Sequence, residues 1–168
     1  SPIEIVPREK KPKGAWRERQ ETPHDAEKCK EIDASNSGVG IVAGQVSGIL
    51  VIDIDGDAGY ESLAMLESRF GQLPKTPCVV TKRGIHLYFK IPAKHEIPTM
   101  HGHTANGIKI GGIDICCESC YLIAPPSIYP EGHQYYWHTS PWEYGFAELP
   151  DAWLKVVVED ESTQSAAV

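Results

Sequence analysis

Residues 48–56 read Gly-Ile-Leu-Val-Ile-Asp-Ile-Asp-Gly, and the predicted fold is organised around them. A continuous aliphatic run rich in β-branched residues predicts a strand that is buried on both faces. Side chains alternate along a strand, so Asp53 and Asp55 point to one side and Ile54 points to the other. Two carboxylates at the end of a buried strand repel each other and are poorly solvated. A divalent cation that prefers hard oxygen ligands, Mg²⁺ or Mn²⁺, relieves both costs.

Length, composition and charge describe an ordinary globular protein. The chain has 168 residues, which is room for one domain, with 41% hydrophobic and 23% charged residues. No apolar run approaches the ~20 residues that a membrane helix needs, and no charged-then-apolar leader predicts a secretory signal. The formal charge of −7 argues against a protein that wraps nucleic acid over a broadly basic surface, although a local basic groove stays open.

The cysteines favour an intracellular location. Three of the five lie within residues 116–120, and their spacing does not resemble the disulfide framework of a small secreted protein. We therefore expect a reducing, cytoplasmic setting and no membrane partner.

The first part of the chain is predicted to contain one helix and one strand. Residues 1–21 are predicted to be an irregular basic segment, either a solvated arm or a phosphate contact. A helix is expected from an N-cap at Thr22, followed by Pro23, to about Ile32. A strand over residues 39–43 lies close in sequence to the central strand, and the two are expected to pair as a hairpin.

A second helix is predicted to follow the central strand and to end near Phe70, where Gly71 stops it. Its apolar side chains Tyr60, Leu63, Leu66 and Phe70 have helical spacing. We predict that this stripe faces the core rather than a cofactor.

The second half of the chain is predicted to consist mainly of strands. In residues 85–91, His86 and Tyr88 alternate with aliphatic and Phe side chains that should face the core, so His86 should open onto a cleft or onto solvent. Residues 92–106 are predicted to form a loop, and residues 159–168 a flexible tail. Further strands are predicted over residues 78–81, 107–110, 113–116, 121–124 and 133–138, and a short helix over residues 151–157.

Three polar positions that interrupt apolar strands are the candidates for chemistry. They are the Asp53 and Asp55 pair, His86 and Asp114. A buried charge is costly unless it is paired or bound to a metal, so three such positions predict one shared site. Three carboxylates supply a charge of about −3, which one or two divalent cations would offset.

Two simpler roles for these side chains stay open. An Asp-x-Asp pair at a strand end is often a turn or a cap, and a histidine on a strand face more often makes a plain hydrogen bond than a catalytic contact. A calcium-binding loop that starts at Asp53 is excluded, because its sixth position is Ala58 instead of Gly and its twelfth is Ala64 instead of Glu.

The order of the motifs resembles that of the archaeo-eukaryotic primase superfamily, in particular the primase–polymerase (prim-pol) domains of plasmids, phages and mobile elements. The Asp-x-Asp pair resembles the first family motif, and Gly84-Ile-His86 resembles its small-x-His motif. Asp114, with the Ala-Pro-Pro-Ser that follows it, resembles the third motif. The resemblance covers most of the chain and is carried by residues 10–16, 38–44, 50–56, 73–89, 112–127 and 132–137.

A prim-pol domain implies one catalytic domain over residues 1–168. The expected fold class is α/β (α+β), with a mixed, mainly antiparallel central sheet that is flanked by helices and contains RRM-like elements. The three motifs are expected to line one cleft.

The resemblance also implies roles for single residues. Asp53, Asp55 and Asp114 would hold two Mg²⁺ or Mn²⁺ ions. His86, preceded by Gly84 as the small residue of its motif, would contact the phosphates of the incoming nucleotide.

Three more residues are predicted to bind nucleotide. Lys82 and Arg83 lie in the turn before His86, where their charge and position favour contacts to the triphosphate. Ser127 is expected to contact nucleotide or template. The implied partners are nucleoside triphosphates, a single-stranded DNA template with its primer, and a helicase or accessory primase domain outside this sequence.

The predicted reaction is template-directed nucleotidyl transfer by a DNA primase/polymerase. One metal would lower the pKa of the primer 3′-hydroxyl and the other would neutralise the leaving pyrophosphate, with the two roughly 3.5–4 Å apart. Elongation is a safer expectation than de novo priming. One rival is a metal-dependent phosphodiesterase or nuclease that uses the same carboxylates, and the other is a non-catalytic module that binds nucleotide or DNA in a replication initiator.

The cysteine cluster departs from the family pattern. Where relatives often have a glycine-rich turn, this chain has Cys116, Cys117 and Cys120. With His133 these thiols would have the composition of a zinc site, but adjacent cysteines on a strand face opposite ways. Small, buried cysteines are therefore the favoured prediction over structural zinc.

Overall fold

The computed structural model describes residues 1–92, 97–101, 104–105 and 108–158. The predicted tail over residues 159–168 and parts of the predicted loop over residues 92–106 lie outside the described residues. The helices are α1 (Ala26–Ala34), α2 (Gly56–Phe70) and α3 (Asp151–Val157), with a 3-10 helix at Arg17–Gln20. The strands are β1 (Pro2–Ile5), β2 (Gly38–Val42), β3 (Ile49–Asp55), β4 (Cys78–Val80), β5 (Gly84–Lys90), β6 (Met100–His101), β7 (Thr104–Ala105), β8 (Ile108–Lys109), β9 (Ile113–Cys116), β10 (Tyr121–Ala124), β11 (Tyr136–Thr139) and β12 (Ala147–Glu148).

The described strands form one large sheet and two small ones. The large sheet has the order β11-β4-β5-β3-β9-β6, and β12 adds in parallel beside β5, whereas the other pairs are antiparallel. β1, β2 and β10 form a three-stranded sheet, and β7 pairs with β8. The predicted fold class, a mainly antiparallel sheet flanked by helices, is confirmed. The succession of β3, α2, β4 and β5 is a β-α-β-β unit of the RRM-like kind.

Strand β3 is buried on both faces, as predicted, because two separate cores cover it. It pairs with β5 along its whole length and with β9 on its other side. Leu50, Ile52 and Ile54 lie in a core with residues of α2 and α3. Ile49 and Val51, on the opposite face, lie in a second core with residues of the three-stranded sheet.

Helix α2 ends at Phe70 as predicted, and Leu63, Leu66 and Phe70 of the predicted stripe face the core. Tyr60 is 43% exposed, whereas Gly59, Ser62 and Leu66 are buried. A Cβ atom on Gly59 would lie 2.5 Å from the carbonyl oxygen of Gly112, so the helix approaches this backbone more closely than a side chain allows. This close contact sets the rotation of the helix, and the prediction that Tyr60 faces the core was wrong.

The three-stranded sheet overturns two predictions for the start of the chain. Residues 1–21 are not irregular throughout, because β1 pairs with β2. β2 does not form a hairpin with β3 but pairs with β1 and β10. Within the described residues, β2 and β3 are linked only by the bridge Gly44↔Ile49 at the turn between them. Gly44 and Gly48 have φ angles of +90° and +65°, and this turn carries the chain from one sheet to the other.

Helix α1 begins later than predicted. Its N-cap is Asp25 instead of Thr22, because the Asp25 carboxylate accepts a hydrogen bond from the Lys28 N–H at 2.8 Å. An aspartate in this position satisfies one of the free N–H groups of the first turn. The helix runs to Ala34, past its predicted end at Ile32.

The prediction of a loop over residues 92–106 was partly wrong, because Met100 and His101 form β6 at the edge of the large sheet. The C-terminal helix α3 has the predicted bounds. Trp153 is fully buried in it and donates an indole hydrogen bond to the Gly71 carbonyl at 2.8 Å. In the described part of the chain, no helix combines the length and the apolar character that crossing a bilayer requires.

The cysteine cluster contains a disulfide that the sequence analysis did not expect. Cys116, at the end of β9, is bonded to Cys120, just before β10. The bond closes the turn where the chain passes from the large sheet to the three-stranded sheet. Cys117 between them is a buried, free thiol, so the prediction of small buried cysteines holds for Cys117 alone.

Candidate active site

A row of polar side chains crosses the large sheet on the face that carries the three-stranded sheet. Asp53 of β3 is paired in register with Asp114 of β9 on one side and with His86 of β5 on the other. Side chains paired in register lie on the same face, with Cβ atoms about 4.5–5.5 Å apart. The fold therefore brings together three residues that are distant in sequence.

The row lies where the three-stranded sheet stops covering the large sheet. Ile49 and Val51 are beneath that sheet, whereas Asp53 and Asp55, further along the same side of β3, are partly exposed. A cavity of about 200 Å³ opens at this boundary, and a smaller one of about 40 Å³ adjoins it and shares four of its residues. We call the two together the central cavity. It is lined by Lys10, Asp53, Asp55, Thr81, Lys82, Arg83, His86, Tyr121, Leu122, Ile123, Tyr129 and Tyr135.

Burial and neighbouring like charges disfavour the charged forms of Asp53 and His86. Burial raises the pKa of Asp53 to about 7, and the negative charges of Asp55 and Asp114 raise it as well. Burial lowers the pKa of His86 to about 4, with a contribution from the positive charge of Lys10. The His86 Nε2 and Asp53 Oδ1 atoms are 3.6 Å apart. At neutral pH His86 is therefore neutral and Asp53 is partly protonated, so the two are not a full ion pair.

His86 opens onto the central cavity, as predicted for one face of β5, and not onto bulk solvent. His86 is 6% exposed and Tyr88 is fully buried beneath the three-stranded sheet. Within the described residues, the His86 Nδ1 atom is buried and has no hydrogen-bond partner. A buried nitrogen without a partner is costly, which is a feature of a site completed by a ligand.

The turn before His86 places two cations at the cavity. Arg83 forms a close ion pair with the Asp55 carboxylate. The Lys82 ammonium is 3.5 Å from Glu131 and lies over the ring of Tyr129. Arg83 thus neutralises part of the negative charge of the aspartates at this site.

Gly84 is in the same turn, and the structure explains why this position is a glycine. A Cβ atom on Gly84 would lie 1.8 Å from the carbonyl oxygen of Ile54 on the neighbouring strand. The small residue before His86 therefore lets β5 approach β3 closely enough to place His86 opposite Asp53.

Lys10, Tyr129 and Tyr135 are among the cavity residues that the sequence analysis did not single out. Lys10 comes from the N-terminal segment, and its ammonium lies 4.7 Å from the centre of the Tyr129 ring. The Lys10 carbonyl accepts a hydrogen bond from the Tyr121 hydroxyl at 2.9 Å, which fixes this segment at the cavity edge. Tyr129 and Tyr135 form an aromatic wall, with ring centres 5.9 Å apart. The basic composition of residues 1–21 was the available signal for Lys10, but nothing in the sequence separates it from Lys11.

His101, which lies in the predicted loop, extends the polar row, because its Nδ1 atom is 3.1 Å from an Asp114 carboxylate oxygen. Ser127 is 5% exposed, and its hydroxyl accepts a hydrogen bond from the Val39 N–H at 2.8 Å and donates one to the Val39 carbonyl at 3.0 Å. Ser127 does not line the central cavity and instead joins β2 to the segment after β10.

The carboxylates of the row suit a divalent cation by their chemistry. Among the described residues, no group of three or more His, Cys, Asp or Glu side chains is already arranged to hold an ion. However, the raised pKa of Asp53 arises partly from repulsion by Asp55 and Asp114, and a cation between carboxylates relieves that repulsion. Carboxylate oxygens are the ligands that Mg²⁺ and Mn²⁺ prefer, so these residues fit such an ion.

Comparison with known families shows which family the chain belongs to. The family model described as Bifunctional DNA primase/polymerase, N-terminal (Prim-Pol) matches residues 2–152. This chain belongs to the Prim-Pol family. A search of the curated proteins found no match. The family that the motifs resemble is thereby confirmed over a range that includes every residue of the central cavity.

Membership in the Prim-Pol family indicates nucleotidyl transfer of the primase/polymerase type. Nucleotides and DNA are the substrates of this class in general. Prim-Pol proteins generally depend on a divalent metal, in agreement with the chemistry of the carboxylates.

The lowered pKa of His86 predicts a measurable pH dependence of stability. Between about pH 4 and 6.5 the unfolded chain binds a proton at this histidine and the folded chain does not, so the His86 contribution falls as the pH falls. The difference in free energy of unfolding between the wild type and His86→Gln should grow by up to about 3 kcal/mol from pH 4 to pH 7. Chemical denaturation in the presence of a chelator measures it.

His138→Gln is the matched control, since His138 is exposed. It reports the effect of removing an exposed imidazole. A pH-independent difference for His86→Gln would show that His86 ionises normally in the folded protein.

Proposed function

We propose that this chain is a template-directed nucleotidyltransferase that adds nucleotides to the 3′-hydroxyl of a DNA primer. The observation that carries the proposal is the in-register placement of Asp53 between Asp114 and His86 at the edge of a cavity. Asp53 and Asp55, which would hold metal, and the cations Lys82 and Arg83, which would bind phosphate, line the same cavity. Nucleotidyl transfer needs both kinds of group side by side.

Asp53, Asp55 and Asp114 are the residues that would hold divalent cations, Mg²⁺ or Mn²⁺, and we propose two ions. Such ions activate a hydroxyl nucleophile and neutralise charge on the leaving pyrophosphate. Because burial and mutual repulsion raise the pKa of Asp53, the three side chains favour a cationic ligand over an anionic one.

The cationic side of the cavity would hold the triphosphate. Lys82 and Arg83 bring charge from the turn before β5, and Lys10 brings a third cation from the N-terminal segment. His86, neutral in the free protein, gains affinity for a proton when a phosphate lies beside it and then donates to that phosphate. These contacts would place the α-phosphate next to the carboxylates, which is the positioning that catalysis requires.

Elongation is the reaction proposed for the single catalytic domain over residues 1–168. Its partners are nucleoside triphosphates and a single-stranded DNA template with a primer. We further propose a cytoplasmic replication role in a plasmid, phage or mobile element, in which a helicase or accessory domain supplies initiation.

Primer extension tests the proposal directly. The protein is incubated with a labelled primer on a longer template, Mn²⁺ or Mg²⁺, and nucleoside triphosphates, and products are resolved by length. Stepwise extension is expected. Cleavage of labelled single-stranded DNA with Mn²⁺ and no nucleotide would instead favour a nuclease, and binding without either reaction would favour a non-catalytic module.

Lys10 should affect nucleotide affinity more than turnover. A hydrogen bond to a charged group contributes about 1.5–3 kcal/mol, so Lys10→Gln should raise KM for the nucleotide about tenfold with a smaller change in kcat. Steady-state extension at varied nucleotide concentration measures both constants.

Lys11→Gln is the control, because Lys11 is the adjacent, exposed residue and does not line the central cavity. It should leave KM unchanged. Equal KM values for the two variants would remove Lys10 from the nucleotide site.

A further inference from the structure

A second cavity, of about 220 Å³, lies beside β1, the 3-10 helix and the start of α1. None of the residues named for the proposed function lines it. We call it the Trp16 cavity. The lining residues that matter here are Glu4, Lys13, Trp16, Arg19, His24 and Lys28.

The Trp16 cavity is basic in a protein whose net charge is −7. Lys13, Arg19 and Lys28 are three cations around one lining carboxylate, Glu4. Lys13 and Lys28 approach Glu4 at 3.6 and 3.7 Å. Such partly exposed ion pairs are weak, so a phosphate can compete for the two ammonium groups. Burial lowers the pKa of His24, and the positive charges of Arg19 and Lys28 lower it too, in accord with a positive field in the cavity.

We propose that the Trp16 cavity binds single-stranded DNA, with a base against the Trp16 indole and backbone phosphates against Lys13, Arg19 and Lys28. Aromatic side chains that stack on bases, set among cations that follow the backbone, are how proteins hold single strands without reading sequence. The cavity is smaller than the ~300 Å³ at which pockets begin to enclose a whole small molecule. One base or one phosphate group of a longer chain matches this size.

The Trp16 cavity and the central cavity are joined by one aromatic contact. The Trp16 ring meets the Tyr121 ring edge to face, with centres 4.8 Å apart, and Tyr121 lines the central cavity. A strand that leaves the central cavity over Tyr121 reaches Trp16 next. We assign this strand as the template, and the assignment of its role rests on the proposed function.

Binding of a fluorescein-labelled (dT)20 oligonucleotide, followed by anisotropy in chelator without nucleotide, tests the proposal. Arg19→Gln combined with Lys28→Gln should weaken binding about tenfold. Each phosphate contact to a single strand contributes about 0.7 to the slope of log K against log salt, so the slope should become shallower by about 1.4. Trp16→Ala should weaken binding about tenfold without changing the slope.

Matched controls separate the cavity from general charge and aromatic content. Lys30→Gln combined with Lys90→Gln removes two exposed cations elsewhere, and Tyr60→Ala removes an exposed aromatic ring on α2. Both should bind like the wild type. The proposal is overturned if the Arg19/Lys28 variant keeps the affinity and salt slope of the wild type. It is also overturned if the Lys30/Lys90 control loses as much affinity as that variant. The charge variants decide the question even if Trp16→Ala fails to fold. Since the assay contains neither metal nor nucleotide, a failure of primer extension would contradict the proposed function and leave this result unaffected.

Discussion

Asp53→Asn is expected to abolish primer extension while making the metal-free protein more stable. Asp53 lies between Asp114 and His86 in the polar row, and its pKa is raised from 3.8 to about 7 by burial and by two neighbouring carboxylates. An amide of the same shape removes the charge that the folded state disfavours. It also removes a proposed metal ligand, and metal ions contribute several kcal/mol of transition-state stabilisation. The extension rate should therefore fall at least about a hundredfold.

The gain in stability has a defined pH dependence. A carboxyl group whose folded pKa is raised makes the protein lose stability as the pH rises from about 4 to about 7, where the unfolded chain has ionised and the folded chain has not. The Asn variant does not undergo this loss. About a third of the Asp53 side chain is exposed, so we discount the full effect and expect a gain on the order of 2 kcal/mol at pH 8. For a protein of this size that is about 4–8 °C in Tm.

Thermal unfolding at pH 4 and at pH 8, with chelator present, measures the gain, and primer extension measures the loss. Asp33→Asn, an exposed aspartate on α1, should change neither quantity. Retained extension by Asp53→Asn would refute the metal assignment. A variant that is less stable than the wild type at pH 8 would refute the electrostatic account of the row.

Gly84→Ala is expected to destabilise the whole domain. The added methyl group would lie 1.8 Å from the Ile54 carbonyl oxygen. The oxygen belongs to the backbone and the methyl group is fixed to the Cα atom, so no flexible side chain can move aside. β3 and β5 would have to separate at the pair Asp55↔Gly84, which is two positions along the strands from the pair that aligns Asp53 with His86. Overpacking commonly costs 1–3 kcal/mol, and this position should exceed about 3 kcal/mol.

Equilibrium unfolding in urea gives the free energy for Gly84→Ala and for its control, Gly14→Ala. No atom lies within 4 Å of the Cβ position at Gly14, so that substitution should change the free energy of unfolding by less than about 0.5 kcal/mol. Similar values for the two variants would mean that the strands tolerate the methyl group and that the motif glycine serves another purpose.

The strands of the polar row could be predicted because each carries a local signal. Residues 49–52 are a continuous aliphatic run, so the polar residues that follow on the same strand are conspicuous. The pairing that sets Asp53 opposite Asp114 has no local signal, since partner and register depend on contacts between distant segments. The family resemblance supplied that information in place of physical reasoning.

The errors have the same origin. Tyr60 has helical spacing, but the close backbone contact at Gly59 sets a rotation of α2 that leaves Tyr60 exposed. That contact exists only in the folded chain. β2 was assigned to the nearest strand in sequence, whereas it completes a separate sheet with β1 and β10. Lys10 was one of several similar cations until the fold of that sheet brought it to the cavity.

Arg83 gives Asp55 a positive partner in the free protein. A divalent ion competes with the guanidinium for that carboxylate, whereas an incoming triphosphate offers the guanidinium a stronger, bidentate partner. Under the proposed function, binding of the nucleotide to Arg83 would break its ion pair with Asp55 and free that carboxylate for the metal. Binding of the metal to Asp55 would likewise free Arg83 for the nucleotide. Thermodynamic linkage then makes the two ligands cooperative by the same factor in either order of addition.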